Sequence, residues 1–168
     1  MSEIVMRAVP LTAERFAPYG DVIATSGGGI EAMNEARFDR FNDLARVDVD
    51  TSGEGHVSVS IVRSKTPTEL PYQFDMVERH PLGSQAFIPL SGFSFVVVVA
   101  PPGESVEPQD LQAFVTNGAQ GINYHRGTWH MPLIALNGSQ EFLVVDRAPG
   151  EGNCEQHYFE EKLLLELS

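Results

Sequence analysis

The stretch Glu78-Arg79-His80-Pro81-Leu82-Gly83-Ser84-Gln85 gathers a carboxylate, an imidazole and an amide on a few consecutive residues. Glu78 and His80 are two apart, so on a strand both side chains point to the same face. The turn chemistry of Pro81 to Ser84 returns the chain and lets Gln85 approach them. Such a group can transfer protons, align an amide or hold a divalent cation. The same stretch also reads as a capped surface turn in which Glu78 pairs with Arg79.

A second block, Asn123-Tyr124-His125-Arg126-Gly127-Thr128-Trp129-His130-Met131-Pro132, concentrates two histidines, a tyrosine, an arginine and the sole tryptophan. Gly127 permits a sharp turn, so His125 and His130 need not follow straight-strand parity. Trp129 is placed to wall a pocket, and His130 leads into an apolar strand ending at Leu136. Arg63 and Lys65 share a face at the end of a strong strand and together suit a carboxylate, arginine offering the bidentate geometry. They suit surface salt bridges equally well. Asp146, at the end of the strand Phe142 to Val145, is placed to orient a histidine or a substrate amide. His56 and His157 lack comparable surroundings. Cys154 has no adjacent base in sequence, and Ser64 and Ser84 lack a nucleophile-elbow glycine frame, so covalent catalysis is not expected.

These groups must be positioned by strands. In His56 to Arg63, Val57, Val59 and Ile61 alternate with Ser58, Ser60 and Val62. Further strands are expected over Gln73–Val77, Gln85–Leu90, Phe93–Ala100, Leu111–Thr116, Gly121–Tyr124, His130–Leu136 and Glu141–Asp146. Turn material such as Pro101-Pro102-Gly103, Asn117-Gly118 and Asn137-Gly138 separates them. Leu11 to Gly20 holds one short helix, capped by Thr12 and ended by Pro18 and Gly20. Thr25 to Glu35 reads as a loop; Gly27, Gly28 and Gly29 are not followed by Gly-Lys-Ser/Thr, so no phosphate loop is indicated. Glu155 to Leu167 reads as a short helix. Seven or eight short strands with tight turns and no helical crossovers predict an all-β barrel or sandwich with a few short peripheral helices, one domain over residues 1–168.

Composition narrows the partners. A formal net charge of -12 gives a surface that repels phosphate backbones and acidic membranes. With Cys154 as the only cysteine no intrachain disulfide forms, which suits a reducing cytoplasm. The start, MSEIVMRAVPL, has no apolar signal core, and the apolar run Phe93 to Pro102 is too short for a membrane helix. Nucleic-acid and membrane partners are therefore not expected.

The spacing resembles that of a cupin barrel. The first cupin pattern appears here as Glu78-x-His80, then Gln85, then Gly92, and the second ends as Gly127-Thr128-Trp129-His130. His125 stands where that pattern has proline, and Ile134 where it has asparagine. A usual cupin metal site has three histidines and a glutamate; this chain offers Glu78, His80, Gln85 and His130. The resemblance thus leaves the cofactor open, either none or a divalent metal such as nickel on those four residues. A closer resemblance, over nearly the whole chain, is to the ureidoglycolate lyase family, historically ureidoglycolate hydrolase. It rests on Phe16–Ile23, Glu78–Pro89, Phe114–Gly118, Gly121–His130 and Phe142–Arg147, in that order.

The resemblance implies a homodimeric enzyme of allantoin and purine-nitrogen breakdown that converts ureidoglycolate to glyoxylate and urea. On that expectation the substrate carboxylate meets Arg63 and Lys65, with Tyr124 or Arg126 as a further contact. His80, His130 and Glu78 transfer protons, and Gln85 and Asp146 align the urea amides. Two alternatives remain: hydrolysis of ureidoglycolate to ammonia and carbon dioxide, and a non-enzymatic small-acid binding barrel.

Overall fold

The computed structural model describes residues 3–167. Its strands begin with β1 (Ile4–Pro10), β2 (Gly20–Ile23), β3 (Gly29–Met33), β4 (Phe38–Asn42) and β5 (His56–Arg63). They continue with β6 (Tyr72–Arg79), β7 (Gln85–Pro89), β8 (Phe95–Ala100), β9 (Gln112–Val115) and β10 (Gly121–Tyr124). The last are β11 (Trp129–His130), β12 (Ile134–Ala135), β13 (Glu141–Ala148) and β14 (Glu155–Leu167). The single-turn helix α1 (Ala13–Phe16) starts where expected, with the Thr12 side chain accepting from the Arg15 amide.

One sheet runs β11-β6-β14-β1-β9-β8-β12, and β11 also pairs with β8. That extra pairing closes β11, β6, β14, β1, β9 and β8 into a ring, which removes the exposed edges an open sheet would carry. A second sheet, β2-β10-β7-β13-β5, packs against it. The expected all-β, cupin-like barrel is what the chain forms.

β8 shows why these residues make that arrangement. All six of its residues, Phe-Val-Val-Val-Val-Ala, are buried. Val96, Val98 and Ala100 point into the core inside the ring, with Val77, Trp129, Leu163 and Leu165. Phe95, Val97 and Val99 point the other way, into a core shared with Ile122, Tyr124 and Phe142 of the second sheet. A strand buried on both faces reads as one unbroken apolar run.

Three expectations change. Glu155–Leu167 is a thirteen-residue strand rather than a helix. It pairs parallel with β1 and antiparallel with β6, with a register shift between Tyr158 and Leu163. Phe159, Leu163 and Leu165 go inward while the acidic residues between them stay out, a pattern whose bulge blurred the period of two. The expected loop at Thr25 to Glu35 contains β3, which pairs with β4; its turn uses Asn34, Glu35 and Ala36, all at positive φ. The single strand expected over His130–Leu136 is broken into β11 and β12 by the segment holding Pro132, whose ring cannot donate to a ladder. No helix among the described residues is long and apolar enough to cross a membrane.

Candidate active site

Strand pairing brings the two histidine blocks together. His130 of β11 lies directly across from Glu78 of β6. Alternation along the strands sends Trp129 and Val77 into the ring core and leaves Glu78 and His130 facing the second sheet. His80, two residues past Glu78, joins them. The three offer one ligand atom each within 4.8 Å of one another. They wall a cavity of about 300 Å³ between the ring and the second sheet, shared with Arg63, Gln85, Phe87, Tyr124 and Leu133. A roomier surface groove of about 400 Å³, beside Tyr72 and Tyr158, is lined by no imidazole.

Backbone carbonyls set the two rings. His130 Nδ1 is 3.0 Å from Thr128 O, and His80 Nδ1 is 2.6 Å from Asn153 O. A carbonyl only accepts, so each Nδ1 carries the proton and each Nε2 is turned into the cavity. His130 Nε2 is 3.6 Å from Glu78 Oε1, and His80 Nε2 is buried without a partner. The two Nε2 atoms and the Glu78 carboxylate all face the cavity, where a hydrogen-bond donor or a cation can meet them. The Tyr124 ring stacks on His130, with centroids 4.3 Å apart and planes 9° off parallel, and its hydroxyl is buried without a partner.

The electrostatics separate the groups. The His130 imidazole 3.6 Å away holds the Glu78 carboxyl below the usual carboxylate range, against the opposing effect of burial. Burial, and then the charge of His130, push His80 below the ordinary histidine range, so its neutral form dominates. Burial, then Glu78, push the Tyr124 phenol far up, and it remains a neutral hydroxyl. Burial also raises the Cys154 thiol, whose sulfur is 3.5 Å from Glu78 Oε2.

The two comparisons of sequence agree with one another. The sequence model described as Ureidoglycolate lyase matches residues 3–166. The chain belongs to the ureidoglycolate lyase family. A ureidoglycolate lyase of Pseudomonas aeruginosa (strain LESB58) is 47% identical over 163 residues, covering 96% of this chain and 95% of the relative. That of Pseudomonas fluorescens (strain SBW25) is 49% identical, covering 95% and 94%. That of Pseudomonas syringae pv. syringae (strain B728a) is 48% identical, covering 94% and 92%. Among solved structures, a dTDP sugar isomerase from Desulfovibrio desulfuricans G20 aligns at 15% identity and a TM-score of 0.40, over 85% of this chain and 87% of that one. That likeness is too loose to bear on function.

Within this member of the lyase family, the structure gathers Glu78, His80, Gln85, Tyr124, His130 and Arg63 around one cavity. The Gln85 amide donates to Asp146 Oδ2 at 3.1 Å, which places Asp146 just behind the cavity wall. Arg63 lies at the mouth, its Nε and Nη2 both on one oxygen of Glu141, 3.0 and 2.9 Å away. Two expected substrate contacts fall elsewhere. Lys65 is exposed beyond the end of β5 and does not line the cavity, because the strand and its face alternation stop at Arg63. Arg126 Nε donates to Pro81 O at 2.7 Å and its other nitrogens face Asp48 and Asp50, so it braces the turn after His80 from outside.

Trp129, expected to wall the pocket, packs in the ring core with the Arg79 guanidinium 4.8 Å over its ring. His125 pairs with Asp21 at 3.2 Å, away from the cavity. Sequence reasoning missed Asn153 and the nearness of Cys154 to Glu78. Neither has a local signal, since both reach the site only through the pairing of β14 with β6.

Proposed function

We propose that this chain is a ureidoglycolate lyase, eliminating urea from ureidoglycolate to leave glyoxylate, in the cavity between the ring and the second sheet. The observation that carries the reading is a pair of imidazoles beside one carboxylate: His80 Nε2 is buried without a partner, and His130 Nε2 lies 3.6 Å from Glu78 Oε1. Burial lowers the pKa of His80, which suits that ring to accept a proton, and the Glu78 carboxylate beside His130 suits the second ring to hand one on.

His80 Nε2 takes the proton of the substrate hydroxyl. The freed electron pair on oxygen forms the carbonyl of glyoxylate, and the carbon–nitrogen bond breaks with its pair going to nitrogen. His130, protonated and held by Glu78, gives its Nε2 proton to that nitrogen, and urea leaves. Exchange with solvent returns a proton to His130 and removes one from His80. Arg63 meets the substrate carboxylate at the mouth, keeping one guanidinium nitrogen beyond its pairing with Glu141. The Gln85–Asp146 pair and the Tyr124 hydroxyl are hydrogen-bond partners for the ureido group.

Product analysis with purified protein tests the reading. Urea and glyoxylate in equal amounts without ammonia are expected. Ammonia and carbon dioxide without urea point to hydrolysis instead, and saturable glyoxylate binding without turnover points to a binding protein.

A second reading rests on the same cluster. One carboxylate and two imidazoles, with both Nδ1 atoms tied to carbonyls and a buried Nε2 left free, fit a divalent cation such as nickel. Glu78, His80 and His130 would hold it, with Gln85 beside them. A bound metal would supply polarisation of the substrate hydroxyl and carboxylate. Activity that survives exhaustive chelation, with no metal in the purified protein, favours the proton-transfer reading.

The reading extends to one catalytic domain over residues 1–168, acting as a cytoplasmic homodimer with no nucleic-acid or membrane partner. The net charge of -12 supports the last point. Support for self-association comes from β5, an edge strand whose Val57, Val59 and Ile61 are all exposed on one face.

A further inference from the structure

We infer that Asn153 is a positioning residue for His80, acting through both its main-chain and its side-chain oxygen; this rests on His80 being a working imidazole of the proposed reaction. Asn153 lies in the turn between β13 and β14, its amide donating to Gly150 O at 3.2 Å. The pairing of Glu155 with Arg79 sets the next step. Two residues back along that antiparallel register, Asn153 comes opposite the turn that follows His80.

There it makes two contacts. Its carbonyl oxygen accepts from His80 Nδ1 at 2.6 Å, and its Oδ1 accepts from the Leu82 amide at 2.7 Å. The residue is 7% exposed, so both contacts are made by a residue largely withdrawn from bulk water.

The first contact decides which nitrogen of His80 can act. With its proton held on Nδ1, the neutral ring has its lone pair on Nε2, the buried atom that faces the cavity with no partner. The opposite side of the turn is braced at its main-chain carbonyls: Gly127 N donates to His80 O at 3.1 Å, and the Arg126 side chain donates from Nε to Pro81 O at 2.7 Å. Those hold the backbone and leave the ring free to turn over. Among the described residues, only Asn153 hydrogen-bonds the imidazole itself.

Any residue at 153 has a carbonyl. What asparagine adds is the Oδ1 contact, which locks that carbonyl to the turn carrying His80. Ala at this position keeps the carbonyl and loses the lock, and Asp keeps an acceptor for the Leu82 amide.

The experiment is ¹⁵N-resolved NMR of the His80 ring in the wild type, Asn153→Ala and Asn153→Asp, alongside steady-state kinetics and thermal melting. The wild type is expected to show a protonated Nδ1 and a bare Nε2. Asn153→Ala should give mixed tautomers and a kcat lower by about 10- to 100-fold, the usual range for a residue that orients another. Its KM should move less than about twofold, because substrate contacts are untouched. Asn153→Asp should restore the tautomer and most of kcat.

A wild-type ring protonated on Nε2 overturns the inference. So does Asn153→Ala with wild-type tautomer and kcat, or Asn153→Asp as impaired as Asn153→Ala. Should Asn153→Ala fail to fold, the wild-type and Asn153→Asp spectra still decide. Absence of urea release from the wild type sinks the proposed reaction and leaves the ring measurement standing on its own.

Discussion

At Tyr124 a cost in stability can be measured apart from the proposed chemistry. A buried hydroxyl without a partner forfeits its hydration, a cost of about 1–3 kcal/mol. Tyr124→Phe removes that cost and keeps the ring stacked on His130. The variant should melt no lower than the wild type while kcat/KM for ureidoglycolate falls; a lower melting temperature with full activity contradicts a role in the cavity. Substituting His80 or His130 by Asn should each reduce urea release by about 10²- to 10⁴-fold, the range for loss of a general acid or base, with an unchanged far-ultraviolet circular dichroism spectrum. Near-normal turnover by either variant removes that residue from the mechanism. Glu78 and His80 were legible as neighbours because two-residue spacing on a strand fixes facing, while Gln85 was reached through the turn at Pro81 to Ser84 and His130 through its own histidine-bearing block. Lys65 and Arg126 were misplaced because a strand end and a glycine turn break that parity.

At the scale of elements, β14 carries the ring. Leu163 is fully buried between β1 and β6, so Leu163→Ala should cost about 2–5 kcal/mol in denaturant unfolding. A loss below half a kcal/mol, as at an exposed site, contradicts its place in the core. The β2–β10 pairing has a different lock, Asp21. Burial alone would raise its pKa, but hydrogen bonds from Asn123, the Arg46 amide and His125 outweigh it and hold the carboxyl below the ordinary value of 3.8. A folded-state pKa below the unfolded one contributes stability that is present above pH 3.8 and is lost as pH falls through the folded value. Asp21→Asn should therefore destabilise near neutral pH and converge on the wild type in acid-unfolding curves as pH falls through the lowered folded-state value. A gap that stays constant with pH means that the carboxylate charge is not what stabilises the pairing. Four strands of this sheet, β5, β7, β10 and β13, were readable from the sequence, β5 with its expected bounds of His56–Arg63, whereas β2 was not expected.

At the scale of the molecule, β5 is an edge strand with no proline, lysine or acid along its length, unlike edges that natural proteins protect against pairing. Sedimentation should find a dimer, and Val59→Lys should shift it to monomer; a variant dimer of undiminished affinity places the interface elsewhere. The sequence by itself determined an all-β barrel, the family, and the two histidine blocks, because period-two burial and residue spacing are local properties. Tertiary structure alone decided the rest. The β11–β6 register sets His130 opposite Glu78, and the β14–β6 register carries Asn153 to His80 across more than seventy residues of chain. Closure of the ring turns Glu155–Leu167 into a strand where local pattern suggested a helix, since its backbone groups gain two neighbours. Which nitrogen of an imidazole is free depends on the carbonyl that approaches the other, and no spacing along one strand specifies that.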